Sequence, residues 1–378
     1  MSDLLRSFRH ELHAHPELAH REYATAERVV TFMQQFNPTE IVTGIGGTGV
    51  VVTFDSGVEG PKMLFRCELD ALPITEVDVD GYASTTAGVS HKCGHDGHMA
   101  MSAGLGEALA ERPLTRGVVH LLFQPAEETG TGAAAVLNDE AFSRFTPDFA
   151  VAIHNMPGFP MHSMVIKPGP ITAAVRSFVV RFAGRVAHAS EPEKGENPSL
   201  AVADLLREAD ALVIADQTDS NFRLVTPIHV SVGSIAYGVA AGVGEVHFTI
   251  RAATNRGLAD LQAEITGIAE QVAVRDGLAV DIEVVEDFFA NVNDPGVTER
   301  VRLAAEHCGH HIITPEVGMR AGEDFGLFTE RFPCCLVLLG AGEEHLPIHN
   351  AGYDFPDELI TTGVELFEQI VRQAEAEM

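Results

Sequence analysis

The octapeptide HKCGHDGH at residues 91–98 sets three histidines, a thiol and a carboxylate in one short segment, with glycines at 94 and 97. Imidazole, thiolate and carboxylate are the donors that hold Zn2+ and, with more oxygen ligands, Mn2+ or Co2+. In an extended turn residues two apart point the same way, so Cys93 and His95 could face one site. A thiolate has several lone pairs and a cation keeps it deprotonated, so Cys93 could bridge two metals. Elsewhere Glu127 and Glu128 stand side by side in QPAEE. If Glu128 binds metal, Glu127 is free to take a proton from water as a general base.

Such groups need a scaffold to bring them together. β-rich runs at 49–54, 62–67, 117–123, 149–153 and 334–340 alternate with helical patterns near 98–112, 132–142, 297–308 and 357–377. That alternation predicts a three-layer α/β domain. Ligand sites in open α/β sheets lie beyond the carboxyl ends of the strands. Glu68 and Asp70 follow the second run, Glu127 and Glu128 the third, His154 the fourth, and His345 and His349 the fifth. A lone histidine after a strand is ordinarily structural, and a glutamate pair is ordinarily an exposed helix start. All of them converging on one sheet edge, with Cys93 and His95 between two of the strands, favours a site for two metals.

The pattern changes near residue 175. From there to about 290 a β-α-β-β-α-β succession predicts a small antiparallel sheet with two helices on one face. The first pattern resumes after NVNDP (291–295), so residues 1–174 and 291–378 are expected to form one domain and 175–290 an insertion in it. GIGGTG (44–49) satisfies the dinucleotide-binding spacing but is followed by a strand instead of a helix, and is expected to be a turn.

The chain has 378 residues, 46% of them apolar, which is enough for a substantial core. With 54 acidic against 25 basic residues the formal charge is −29, which argues against a nucleic-acid or anionic-membrane surface. The N-terminal segment interleaves charges with apolar residues, unlike a signal peptide, and no apolar run approaches the roughly 20 residues of a membrane span. A cytoplasmic protein is expected. Five cysteines, odd in number and including an adjacent pair, do not read as a disulfide framework.

LHAHPEL, LDALPI, HKCGHDGH, FQPAEE, HNMPG, PGPITAA, VNDP, GEDF and LGAG with HLPIHNAGYDF follow one another along nearly the whole chain. In that order they resemble the di-metal aminoacylase and carboxypeptidase superfamily. The likeness is greatest to its amidohydrolase branch, which includes hippurate hydrolase, N-acyl-amino-acid amidohydrolases and indole-acetyl-amino-acid hydrolases. The resemblance implies a zinc-peptidase-like catalytic domain carrying an inserted ferredoxin-like α+β lid that dimerises, with two divalent cations per subunit. By motif position it makes Cys93, His95, Glu128, His154 and His349 the metal ligands and Glu127 the general base. His188, in VAHASEP, would steady an oxyanion.

Several positions depart from the family pattern. Arg66-Cys67-Glu68 stands where the branch has Arg-Ala-Asp, Glu193 where it often has a second histidine, and Tyr237-Gly238-Val239-Ala240 where it has Asn-x-Ile-Pro. The last element is associated with holding a substrate carboxylate, so carboxylate recognition stays open. Glu68, Asp70, Asp96, Arg251 and Glu323 are expected to support the ligands or touch substrate, with Asp324 beside Glu323 in the same motif. His13, His15, His91 and His98 are expected to be structural. The implied activity is hydrolysis of the amide of an N-acyl amino acid or a related small conjugate. A dipeptidase on the same scaffold is the alternative, and a metal-holding module without catalysis is disfavoured by the presence of Glu127.

Overall fold

The computed structural model describes residues 3–77, 79 and 81–376. They form two compact units. The first comprises the chain up to Ile171, Asn291–Pro315 and the chain from Glu323 onward; the second comprises Thr172–Ala290 and Glu316–Gly322.

The first unit is built on an eight-stranded mixed sheet. Its spatial order is Glu40–Ile45, Gly49–Asp55, Val118–Gln124, Lys62–Glu68, Phe149–Met156, Cys334–Gly340, Met164–Val165 and Ile312–Ile313. The four strands from Val118–Gln124 to Cys334–Gly340 are parallel. Parallel strands are covered on both faces and so read as unbroken apolar runs. CCLVLLG, with every residue buried, is the clearest case.

Helix His95–Glu111 is buried along most of its length. Its glycines permit this: a Cβ at Gly104 would lie 2.3 Å from Val364 and 2.9 Å from Leu5. Helices Asp3–Ala14 and Leu359–Ala376 can therefore approach it closely, and Phe8, Leu12, Leu366 and Phe367 join its methionines in the core.

Several expected boundaries move. Strands 62–67 and 149–153 extend to Glu68 and Met156, so Glu68 ends its strand and His154 lies within one. The helix expected from 98 begins at His95. The pattern at 132–142 breaks after Leu137, and Asp139 then caps a 3-10 helix over Glu140–Phe145 by accepting from Ala141 N–H. GIGGTG is the turn of a hairpin whose first strand, Glu40–Ile45, is mostly exposed and carries little periodic signal. Helix Tyr23–Gln34 also went unpredicted, because Glu22 stands at its start in place of a Ser, Thr, Asp or Asn cap.

In the second unit an antiparallel sheet runs Arg223–Val232, Val243–Ala252, Ala174–Ala183, Ala279–Phe288. Along VGEVHFTIRA alternate residues are buried, which places Val246, Phe248 and Ile250 in one core with Leu205, Leu261 and Ile265 of helices Ser199–Asp210 and Asn255–Asp276. The β-α-β-β-α-β order is the one expected. Residues 316–322, assigned by sequence to the outer domain, belong with this unit. Ala173 N–H donates to Met319 O (2.8 Å) and Arg251 Nε to Arg320 O (2.9 Å), which ties the segment to the sheet.

Helix Pro295–His307 restarts the first unit after the insertion, and Asp294 caps it by accepting from Gly296 N–H (2.8 Å) and Val297 N–H (2.9 Å). Asp294→Ala is expected to lower folding stability by about 1 kcal/mol, and Asp294→Ser to restore most of it. Denaturant midpoints at unchanged slope check this.

Candidate di-metal site

Strand ends and one helix start bring the donors together. Cys93 Sγ lies 3.4 Å from His154 Nε2. His95 Nε2 lies 3.8 Å from Glu127 Oε2 and 3.9 Å from Glu128 Oε1, and His349 Nε2 lies 3.6 Å from Glu128 Oε2. Two groupings share the thiol: Cys93 with His95 and His154, and Cys93 with Glu128 and His349, the donor atoms of each lying within 4.8 Å of one another. His95, Glu127 and Glu128 form a third such grouping.

The backbone needed for this is unusual at three points. Gly94 has φ 99°, and a Cβ there would lie 2.1 Å from Asn155 Oδ1. Cys93 and His95 therefore reach one site across a left-handed glycine, and not along an extended turn as the sequence suggested. His349 has φ 65°, with its N–H donating to Lys92 O (2.7 Å), and Ala126, before Glu127, has φ 52°.

Hydrogen bonds present both histidines in the same form. His95 Nδ1–H donates to Asp70 O (2.8 Å) and His154 Nδ1–H to Asn155 O (2.7 Å). A carbonyl only accepts, so each Nδ1 carries a proton and Nε2 is the nitrogen turned toward the other donors. His95 Nε2 is buried without a hydrogen-bond partner, as are Glu128 Oε1 and Asp70 Oδ1.

The electrostatics are those of a site crowded with acid groups. Burial raises Glu127 well above the usual carboxylate range, and Glu323 and Glu128 push it further. Burial also lifts Glu128 to about 7 against the opposing pull of His95, and burial with the charge of Glu128 raises the Cys93 thiol. Burial lowers His154 to about 3. At His95 burial is outweighed by the nearby Asp70 carboxylate and the charge of Glu68, and its pKa rises to about 10. Divalent cations would satisfy the same field in place of protons. Ligands around a tetrahedral zinc lie about 3.4 Å apart, close to the separations here. The residues fit a dinuclear site.

The expected supporting residues are arranged as follows. Asp70 Oδ2 accepts from Glu128 N–H (2.9 Å), so Asp70 holds both His95 and Glu128. Glu68 is paired to Arg66 and lies 2.7 Å from His98 Nδ1, and His98 Nε2 is 2.6 Å from Asn155 Oδ1. Glu68 also groups with His95 and His98 as a possible ligand set. Arg66 is fully buried and reaches Glu323 (3.0 Å) and Asp324 as well. Asp96 faces Arg9 (2.7 Å) and His13 (2.8 Å), so it anchors the first helix and belongs to none of the donor groupings.

His13 is buried between Asp96 and Glu76, His15 bonds to Glu11 O, and His91 is buried with neither ring nitrogen hydrogen-bonded. His345 packs edge-on against Tyr353, with ring centroids 5.1 Å apart. In the second unit His188 is exposed with Nδ1 2.7 Å from Ser190 Oγ, Arg251 holds the Arg320 carbonyl, and Glu193 and Tyr237 are exposed. Arg9 and the ion pairs of Arg66 were not among the expected site residues. A signal existed for the latter, since an arginine inside an apolar central strand must be paired.

A family model described as peptidase family M20/M25/M40 matches residues 64–373. The chain is 30% identical over 365 residues to the hippurate hydrolase of Campylobacter jejuni, which spans 96% of this chain and 94% of that one. It is 29% identical to an N-acetyl-L-cysteine deacetylase of Bacillus subtilis, over 90% of this chain and 81% of the relative. Among solved structures it is similar to a dinuclear metal-binding peptidase of the M20 family from Bacillus subtilis, with a TM-score of 0.84 and 25% identity over 99% of this chain and 98% of that one.

Arg66→Met is expected to destabilise the first unit by about 3–5 kcal/mol, because it leaves three buried carboxylates without their counter-charge. Arg66→Lys keeps the charge but loses the planar fork, and should fall between that variant and wild type. Thermal melts of the three proteins in one buffer test the order.

Proposed function

This chain belongs to peptidase family M20/M25/M40, and from that membership we propose that it is a metal-dependent amidohydrolase cleaving the amide bond of N-acyl amino acids or related small conjugates. The observation that carries the reading is Glu127, a buried acid left over once the neighbouring donors are assigned as ligands, 3.8 Å from His95 Nε2. The relatives named above, a hippurate hydrolase and an N-acetyl-L-cysteine deacetylase, support the substrate class.

In this reading Cys93, His95 and His154 face one divalent cation, and Cys93, Glu128 and His349 a second. Zinc, manganese and cobalt all suit such a mixed donor set. Bound there, the cations would supply Lewis acidity toward an amide carbonyl and a water. Glu127 takes the proton from that water and delivers it to the leaving amine. His188 is the proposed donor to the tetrahedral oxyanion, and Arg251 a substrate or supporting contact.

Amine release is to be measured from N-acetyl, N-benzoyl and indole-acetyl amino acids, from acylated amines without a carboxylate, and from dipeptides. Metal-stripped protein is assayed with and without Mn2+, Zn2+ or Co2+. Metal-dependent release is expected, with Glu127→Gln lowering kcat by about 10²–10⁴ at unchanged metal content. Equal turnover by Glu127→Gln overturns the assignment of the base, and preference for dipeptides moves the reading to an exopeptidase.

We also propose a homodimer through the inserted unit. Its edge strand Arg223–Val232 exposes Ile228 (62%) and Val230 (41%), an apolar edge suited to pairing with a second copy. Light scattering should give a dimer that Ile228→Asp converts to monomer; a monomeric wild type would end this proposal. No helix among the described residues is long and apolar enough to cross a membrane. The cytoplasm is the proposed compartment, because a thiol ligand is best kept in a reducing milieu, and cell fractionation is the check.

A further inference from the structure

None of the chemistry above uses Glu22, yet it is fully buried. It stands immediately before helix Tyr23–Gln34, where its side chain could cap that helix, and makes no such bond. Its carboxylate instead gathers three donors from three separate segments. Oε1 accepts from Ala126 N–H (2.8 Å) and His20 N–H (2.9 Å), and Oε2 from the Thr48 hydroxyl (2.7 Å).

Ala126 is the residue before Glu127, and its φ of 52° is a conformation that a residue with a Cβ adopts only when its surroundings impose it. On its carbonyl side Ala126 O accepts from Gly132 N–H (3.0 Å). The close return of the chain needs glycine there, since a Cβ at Gly132 would lie 1.6 Å from Pro125 O. On the amide side its bond is to Glu22. The glycine hairpin at 44–49 also has a use beyond turning the chain. It delivers Thr48 to the same carboxylate, and its own Gly49 packs against Pro125, where a Cβ would lie 3.1 Å from the ring.

We infer that Glu22 is a positioning residue for the reaction: by binding Ala126 N–H it holds the QPAEE turn left-handed and so aims the Glu127 carboxylate. This rests on the reading of Glu127 as the base. Rotating Ala126 to a negative φ would swing the Cα–Cβ direction of Glu127 and withdraw its Oε1 from Asp324 N–H, now 3.3 Å away. Glu128 is secured independently by the bond from its N–H to Asp70. Loss of Glu22 should therefore disturb the base more than the metal ligand.

The test compares wild type, Glu22→Gln, Glu22→Ala, Ala126→Gly and Glu22→Ala/Ala126→Gly, each loaded with the same metal. Glu22→Gln keeps a carbonyl acceptor for Ala126 N–H and should stay within about fivefold of wild type. Glu22→Ala should lose about 10- to 100-fold in kcat with KM and metal stoichiometry little changed. Glycine adopts positive φ without strain, so the double variant should regain at least tenfold of that loss; a residue needed only for folding would show no such rescue. A crystal structure of Glu22→Ala should show Ala126 at negative φ, whatever the substrate proves to be. An unmoved turn, or a kcat loss without rescue by glycine, overturns the inference. If Glu22→Ala does not fold, the same comparison is made with Glu22→Gln, whose turn and rate must then both stay near wild type. Absence of amide cleavage by wild type itself counts against the proposed function alone, because the structural readout remains.

Discussion

Negative charge packed where water cannot reach it is the condition that organises the first unit. Glu68, Asp70, Asp96, Glu127, Glu323 and Asp324 are all buried, and an isolated buried carboxylate is too costly to persist. Among the described residues two fully buried arginines neutralise part of this charge: Arg66 serves Glu68, Glu323 and Asp324, and Arg9 serves Asp96 and the Asp354 and Asp357 carboxylates. The group around His95, Glu127 and Glu128 has no arginine in ion-pair contact among the described residues, and His95 Nε2 and Glu128 Oε1 there are buried without hydrogen-bond partners. The protein neutralises its periphery with guanidinium groups and leaves the centre to be neutralised by something else.

Local backbone conformation then sets the surroundings of each carboxylate. Glu127 and Glu128 are chemically identical neighbours. Glu128 is drawn toward Asp70 by its amide, while Glu127 is approached by the amide of Asp324 from the far end of the chain. The left-handed residue ahead of them separates their directions. Two different surroundings follow for one residue type beside a turn that is left-handed at Ala126.

Much of this was legible in the sequence for identifiable reasons. Unbroken apolar strands such as CCLVLLG announce a parallel sheet, and that sheet's carboxyl edge is where polar residues carry information. The alternating strands and paired helices of the second unit were equally plain. What escaped detection left no periodic trace. Nothing in the composition of QPAEE marks Ala126 as left-handed, and Glu22 looks like one more surface acid before a helix. The salt-bridge partners of Arg9 lie 87, 345 and 348 residues away, separations at which no local pattern can speak.

Those separations also bear on how the protein is made. Chains emerge from the ribosome amino end first and fold domain by domain. The second unit is nearly continuous from Thr172 to Ala290, so most of its contacts become available in one stretch of synthesis. The first unit needs Arg9 and Glu22 from the start of the chain and Asp324, His349 and Asp354 from its last sixth. A nascent chain therefore carries Arg9 and Arg66 without Asp354 and Asp324 while the inserted unit takes shape beyond them. The grouping of Cys93, Glu128 and His349 is likewise incomplete until the last tenth of the chain has emerged.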